Sequence, residues 1–393
     1  MLIRPLSWLA AALGVMFCSA PAWAQVQDTF KFNAAYARQS DSNLFRLPAA
    51  ANAAEQVGIT SLGFNFNKAY SLQRFELNLS LIDYQYQNFS YLSFAAQNYN
   101  AAWRWSLTPR LRGNVTTVRN ETLNSFADFQ GFNQRNQRTN SNTRFDAAYE
   151  IDGPWRVLGG VSQSEQTNEQ VLLAEGDFRT NGADLGLRYV LASGSSVSYA
   201  FKTATGTYLN RVRSQASLLD DGFSQSDNEI ALHWVISTGS SADVKAAYIK
   251  RSHPHFAQRD FSGLNAAINL NWNMTGKSAL TAGLAREVAS YQTGDDNYTR
   301  TDRFSVGPVW QVSPKAVVRL RYDVAQRAYL GQPTGAVVSQ RSETTHDTSL
   351  SFDWQPYRYL TLSASLQHAI RTSNPAGHDY ESNAATFSAQ FTY

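Results

Sequence analysis

Strict alternation of apolar and polar side chains is the dominant pattern in this chain, and its last stretch shows it most plainly. From Asn383 to Tyr393, Ala385, Phe387, Ala389, Phe391 and Tyr393 fall on one face and Thr386, Ser388, Gln390 and Thr392 on the other. Successive side chains point to opposite faces of a strand, so the segment predicts a β-strand that is apolar on one side up to its final residue. Such a strand needs a neighbour. Pairing with the opening strand near Phe30 would close the sheet and leave no edge.

The same two-residue repeat recurs along the chain. Leu264, Ala266, Ile268, Leu270, Trp272 and Met274 alternate with Asn265, Ala267, Asn269, Asn271 and Asn273. Four asparagines on one face cannot sit in a dry core without partners, whereas the opposite face is wholly apolar. One face suits hydrocarbon and the other water. Phe75, Leu77, Leu79 and Leu81 stand against Arg74, Glu76, Asn78 and Ser80; Phe145, Ala147, Tyr149 and Ile151 stand against Arg144, Asp146 and Glu150; Val318, Leu320, Tyr322 and Val324 stand against Arg319, Arg321 and Asp323. A two-sheet sandwich with a solvated outer face would alternate in the same way, so periodicity alone leaves soluble and transmembrane all-β folds both open.

The rhythm of connections separates them. Turn-forming residues mark short connections at Asn67 to Ser71, Thr108-Pro109, Asp152-Gly153-Pro154, Ala192-Ser193-Gly194, Thr238-Gly239-Ser240, Thr275-Gly276-Lys277, Ser313-Pro314-Lys315 and Gln355-Pro356-Tyr357. Longer polar stretches lie between them: Ser40 to Glu55, Asn120 to Gln137, Asn168 to Asp177, Asn210 to Ser226, His253 to Asp260, Gln292 to Thr299 and Gly331 to Ser342. Short on one side and long on the other predicts a transmembrane antiparallel up-and-down β-barrel of about 18 strands, or about 16 if two weak runs are not strands, with both termini on the short-turn side. A barrel of that width is not filled by its own wall, so its lumen is either an aqueous channel or is narrowed by inward loops. The connections 40–55, 120–137 and 210–226 are the longest candidates for folding in.

Tryptophan is an independent check. Trp103, Trp105, Trp155, Trp234, Trp272, Trp310 and Trp354 all fall within a few residues of a short turn. Amphipathic rings prefer the membrane interface, so these predict a periplasmic aromatic girdle, whereas core tryptophans would scatter along the strands. Pro308 falls inside a predicted strand and removes a ladder donor, which predicts a bulge or a locally broken pairing.

The start of the chain sets the compartment. Arg4, an apolar run from Leu6 to Phe17 and the small-residue site Ala22-Trp23-Ala24 read as a cleaved signal peptide over residues 1–24, too short to span a bilayer. The single cysteine, Cys18, lies within it and lacks the small preceding residue of a lipoprotein signal, so the barrel over residues 25–393 is expected to be one domain without disulfides. No later apolar run reaches membrane-spanning length. The chain carries 34 basic and 31 acidic residues; without Arg4 the balance is 33 to 31, with no basic stripe of the kind nucleic acid needs. These features point to the outer membrane of a Gram-negative bacterium, with lipid and lipopolysaccharide around the wall and the barrel-assembly machinery as an insertion partner.

Candidate chemistry is sparse. The chain has no nucleophile elbow, zinc-binding His-Glu-x-x-His, P-loop or dinucleotide fingerprint, and no cofactor or metal is expected. His253-Pro254-His255 reads as an exposed loop. His346-Asp347 near Ser342 suggests a barrel hydrolase or acyltransferase, but neighbours in a strand face opposite ways and are badly placed to share a proton. Leu219-Asp220-Asp221-Gly222 with Asp227 and Glu229, and Asp295-Asp296-Asn297 with Asp302, lack calcium-loop spacing and read as solvated loops. The stronger signal is the set expected to face the lumen: Arg74, Glu76, Arg110, Arg112, Arg144, Asp146, Glu150, Asp184, Arg188, Arg303, Arg319, Arg321 and Asp323. Mixed arginines and carboxylates can hydrogen-bond sugar hydroxyls and attract anions, or pair across strands and stiffen the wall.

Two segments carry a family resemblance. Asp41-Ser42-Asn43-Leu44-Phe45-Arg46-Leu47-Pro48 at the end of the first strand, and Phe145-Asp146-Ala147-Ala148-Tyr149 running into Asp152-Gly153-Pro154-Trp155, resemble the EpsL-type outer-membrane proteins of exopolysaccharide biosynthesis clusters, a porin-like barrel group. The resemblance implies a conduit that exports a polysaccharide, working with periplasmic polysaccharide-export components and without a catalytic site. The residues themselves leave a general or sugar-selective diffusion porin as the alternative. They also allow segment 41–46 to be an ordinary turn at a strand end.

Overall fold

The computed structural model describes residues 29–170, 176–216, 218–291, 296–331 and 340–393. The signal-peptide reading of residues 1–24 lies outside the described residues. Eighteen strands follow one another in the order β1 (Phe30–Asp41), β2 (Glu55–Tyr70), β3 (Gln73–Tyr86), β4 (Phe94–Thr108), β5 (Leu111–Leu123), β6 (Gln137–Asp152), β7 (Trp155–Asn168), β8 (Phe178–Val190), β9 (Ser196–Tyr208), β10 (Gly222–Ser237), β11 (Ser240–Ser252), β12 (Phe261–Asn273), β13 (Ser278–Ser290), β14 (Tyr298–Ser313), β15 (Ala316–Leu330), β16 (Ser342–Tyr357), β17 (Leu360–Ser373) and β18 (Tyr380–Thr392). Each pairs antiparallel with the next, and β18 pairs with β1, Thr392 opposite Asn33 and Ala384 opposite Asp41. Phe32 and Tyr393 exchange backbone hydrogen bonds of 2.7 and 2.8 Å, so the final residue is part of the seam. Every main-chain edge is thereby covered, as a wall inside hydrocarbon requires.

The alternation decides which face is which. Leu62, Leu185, Ile230, Leu366 and Phe387 are each more than half exposed, on the same outward register as the aromatic positions. A surface this apolar matches hydrocarbon rather than water. No helix among the described residues is long and apolar enough to cross a membrane, so the strands do the crossing. Trp103, Trp155, Trp234, Trp272, Trp310 and Trp354 lie near the short turns with 42% to 54% of their surface exposed. Trp105 departs from the expected girdle. It is only 7% exposed, because its ring lies over Gly113 and stacks on Phe145 at 5.8 Å.

Two expected turns are strand instead. β2 continues through Asn67 to Tyr70, leaving residues 71–72 as the turn, and β16 continues through Gln355-Pro356-Tyr357. The register of β16 against β17 shifts between Trp354 and Tyr357, so Pro356 marks a bulge rather than a turn. Pro308 behaves as expected of a missing donor. Pairing of β14 with β15 breaks between Val306 and Val309 and resumes in the same register.

Candidate functional site

The long connections do not all project outward. In the connection between β1 and β2, Leu44 and Phe45 are 1% and 3% exposed and pack against Ala37, Val57, Ile59, Phe94 and Ala96. Those wall residues alternate with outward Tyr36 and Leu62, so they face the lumen, and the apolar cluster sits inside the barrel at the long-loop end. Phe126, from the connection between β5 and β6, completes it, with its ring 4.9 Å from that of Phe45.

The segment Asp41 to Arg46 is a latch. Asp41 and Asn43 are fully buried; the Asn43 side chain donates to the carbonyls of Leu47 (2.7 Å) and Glu381 (2.9 Å) and accepts from the Leu47 amide. Asp41 accepts from the Ser382 hydroxyl (2.7 Å) and pairs with Arg46 (2.8 Å), whose backbone adopts φ 56°. Ser42 bonds the Asn383 backbone through both its amide and its hydroxyl. The residues that turn the loop inward therefore also stitch β1 to β18.

The connection 124–136 then crosses the lumen. Asp128 pairs with Arg327 of β15 at 2.7 Å, Arg371 of β17 donates to the Ala127 carbonyl at 2.5 Å, and Gln130 bonds the Arg46 carbonyl and His378. The loop joins β5 to β6, and β15 stands nine strands from β6 in either direction round the ring of 18, so the tether reaches the opposite wall. Between loop and wall remains a cleft of about 60 Å³ lined by Arg46, Asp128, Arg303, Arg327, Glu343, Asp347, Arg371 and Tyr380. Of the three long connections proposed to fold in, 40–55 and 120–137 do. In the third, Asp220 is tied to the 253–260 loop, accepting from the His255 amide at 2.7 Å and meeting its Nδ1 at 2.8 Å.

The residues expected to face the lumen are found on the wall, mostly in pairs. Arg74 and Glu76 meet at 3.0 Å, and Arg104 joins the same carboxylate at 3.0 Å. Arg144 grips Asp184 with two bonds of 2.6 and 3.0 Å and lies 3.6 Å from Asp146. Glu150 pairs with Arg156, Arg319 with Asp353 and Arg321 with Asp323. Arg112 and Arg188 line a second cavity, of about 820 Å³, along β2 to β10 at the short-turn end. Arg110 is the exception: it sits exposed in the turn before β5, where its carbonyl still accepts the Glu150 amide at 2.8 Å but the residue is outside the strand. Sequence reasoning missed Arg104, Lys202, Glu229, Lys245, Arg327 and Arg371. Their alternation with outward residues marks the face, but only the register of β9, β10 and β11 brings Glu229 to both Lys202 (2.8 Å) and Lys245 (2.7 Å).

The remaining candidates resolve by geometry. His346 meets the Tyr322 hydroxyl at 3.0 Å while Asp347 accepts from Gln367 at 2.6 Å, so the two share no proton. His253 is buried rather than exposed, because Asp260 accepts its amide at 2.7 Å and folds the loop over it; burial, with Arg251 nearby, lowers its pKa. Asp220, Asp221 and His255 offer ligand atoms within 4.8 Å of one another, but His255 already serves Asp220 as a loop tether. Burial pushes the Asp220 carboxyl up, yet hydrogen bonds from His255 and Asp221 outweigh it and hold the pKa at about 2. Glu229 points into the lumen and Asp302 pairs with Arg286, so neither acidic group gathers into a single site; Asp295 lies outside the described residues.

Residues 236–392, from the end of β10 through β18, match the family described as Putative beta-barrel porin 2. The closed ring superposes on outer-membrane porins of Pseudomonas. The chain is an outer-membrane barrel of porin-like form. OpdK of Pseudomonas aeruginosa is 10% identical with a TM-score of 0.52, covering 93% of this chain and 99% of that one. OccK2 (OpdF) of the same organism, solved in complex with glucuronate, is 8% identical with a TM-score of 0.53, covering 93% and 98%. A BenF-like porin from Pseudomonas fluorescens Pf-5 is 10% identical with a TM-score of 0.54, covering 93% and 99%. At these identities the likeness is one of fold. No curated protein sequence matches this porin-like chain.

Proposed function

We propose that this barrel is a narrow, solute-selective diffusion porin. The observation that carries the reading is the connection 124–136, fastened to the far wall through Asp128 and Arg327 and packed on the apolar cluster through Phe126. A loop held across a lumen sets an upper size for what passes, and the charged, amide-bearing wall offers hydrogen bonds to small hydrophilic solutes. The resemblance of segment 41–46 to exopolysaccharide-associated barrels is the support for polymer export. In this chain that segment acts as a latch, so it lends export no geometry of its own.

Liposome swelling and planar-bilayer conductance test the reading. The wild type is expected to admit monosaccharides, exclude large dextrans and show a small conductance that rises several-fold when residues 126–133 are replaced by a short Gly-Ser linker. Passage of large dextrans through the intact barrel, or a conductance unchanged by the replacement, would overturn it.

A further inference from the structure

Two arginines at the short-turn end differ from the rest of the wall. The other lumen-facing arginines each hold a carboxylate, an amide, a ring or a loop carbonyl, and Arg303 also has a partner. Among the described residues, Arg112 of β5 and Arg188 of β8 hold none, though both are exposed and both line the 820 Å³ cavity. The neighbouring carboxylates are already committed, Asp184 to Arg144 and Glu229 to two lysines. Six cationic and three anionic side chains line this cavity, so its surplus is positive. The cleft at the long-loop end, by contrast, has its arginines engaged by Asp128, Glu343 and the loops.

The register gives the spacing. Arg112 is level with Ala148, Leu158 and Gly186, and Arg188 is one lumen-facing position nearer the short turns. Three strand spacings of about 4.8 Å and one two-residue step separate the backbones by roughly 16 Å. Two long side chains on a concave wall close most of that gap. Between the two strands, Ala148 of β6 is small and Leu158 of β7 is the larger side chain on the floor of the cavity. An unengaged guanidinium is a planar fork suited to carboxylate or phosphate oxygens.

We propose that Arg112 and Arg188 form an anion-docking site at the periplasmic mouth, which takes a small organic acid bearing a carboxylate or a phosphate. Solutes are thereby engaged from the periplasmic side. The transport consequence rests on the porin reading; the binding does not.

Isothermal titration of detergent-folded barrel with glucuronate, glucose 6-phosphate and glucose tests the site. At least one of the two anions is expected to bind, and which one identifies the headgroup; glucose is expected to give no heat. Arg112→Gln and Arg188→Gln should each weaken binding about tenfold, as loss of one charge-assisted bond implies, while Arg286→Gln on the outer face leaves it unchanged. Among the described residues neither guanidinium has a hydrogen-bonding or ionic partner to lose, and heat-modifiable mobility on electrophoresis checks that the variants fold. Absence of heat with both anions, binding of glucose equal to theirs, or a double variant that binds like wild type would each overturn the site. In bilayers, the double variant should lose anion preference in the reversal potential. A barrel that binds anions but never conducts refutes the porin reading and keeps the site; a conducting barrel without anion binding does the reverse.

Discussion

Phe126→Ala is expected to release the crossing loop far more than Asp128→Ala, although Asp128 makes the more conspicuous contact. Phe126 is 3% exposed and packs edge-on against Phe45 within the apolar cluster. Truncating a buried phenylalanine to alanine costs about 3 to 5 kcal/mol. The Asp128–Arg327 pair is 2.7 Å long, but both side chains are about a third exposed, at 34% and 29%, to a lumen that holds water. Pairs so solvated contribute about 0.2 to 1 kcal/mol. Arg371 and Gln130 also keep their grip on residues 127–130 when Asp128 is lost. A change of 3 kcal/mol multiplies the open-loop population by more than about a hundredfold, against about fivefold or less for the ionic variant. Single-channel recording reads this directly as the frequency and duration of high-conductance states. If Asp128→Ala opened the channel as much as Phe126→Ala, the loop would be held by charge and the argument from burial would be wrong.

Three further outcomes are expected. Gly113→Ala should lower the temperature of barrel unfolding, measured by heat-modifiable mobility, because a Cβ there would stand 2.1 Å from the Asp146 carbonyl and 2.5 Å from the Trp105 ring; an unchanged transition would refute the tight approach. Glu55→Ala should destabilise the connection 87–93, since the buried carboxylate accepts the amides of Asn88 and Phe89 at 2.9 and 2.7 Å, and each orphaned donor costs about 1 to 3 kcal/mol; Glu55→Gln, which keeps one acceptor, should recover part of the loss in thermal melts. Acidification should loosen loops 209–221 and 253–260 in two steps. His253 has a lowered pKa, so its contribution is full above about pH 6.5 and declines below it. Asp220 is held at about 2, below the ordinary 3.8, so its contribution is full above about pH 4 and lost toward pH 2. Hydrogen exchange of the two loops, corrected for intrinsic rate, should rise across both windows, and a single step near neutral pH would contradict the Asp220 tether.

Much of the wall was legible because a strand's side-chain period is two and the two solvents differ. Leu264 to Met274 displays hydrocarbon and water faces without reference to any other residue, and Phe391 and Tyr393 announce an outward face that a partner must flank. Short and long connections alternate because neighbouring strands run antiparallel, so even the strand count followed from local signals. Pro356 misled because proline marks turns and bulges alike, and only the pairing of β16 with β17 tells them apart.

The lumen was legible only as a face. Sequence alternation placed Arg144, Asp184 and Arg321 inside, but could not say that Arg144 would meet Asp184 two strands away while Arg112 would have no polar side-chain partner among the described residues, because that depends on register and curvature round a closed ring. Nor could length distinguish a loop that folds in from one that stays in solvent: Phe45 and Phe126 lie more than eighty residues apart, and their burial exists only once β1 to β6 have brought both into one interior. Local chemistry alone determined a membrane wall and its two surfaces. What narrows the lumen, and which charges remain available to a solute, were decided by contacts between residues that only the folded barrel makes neighbours.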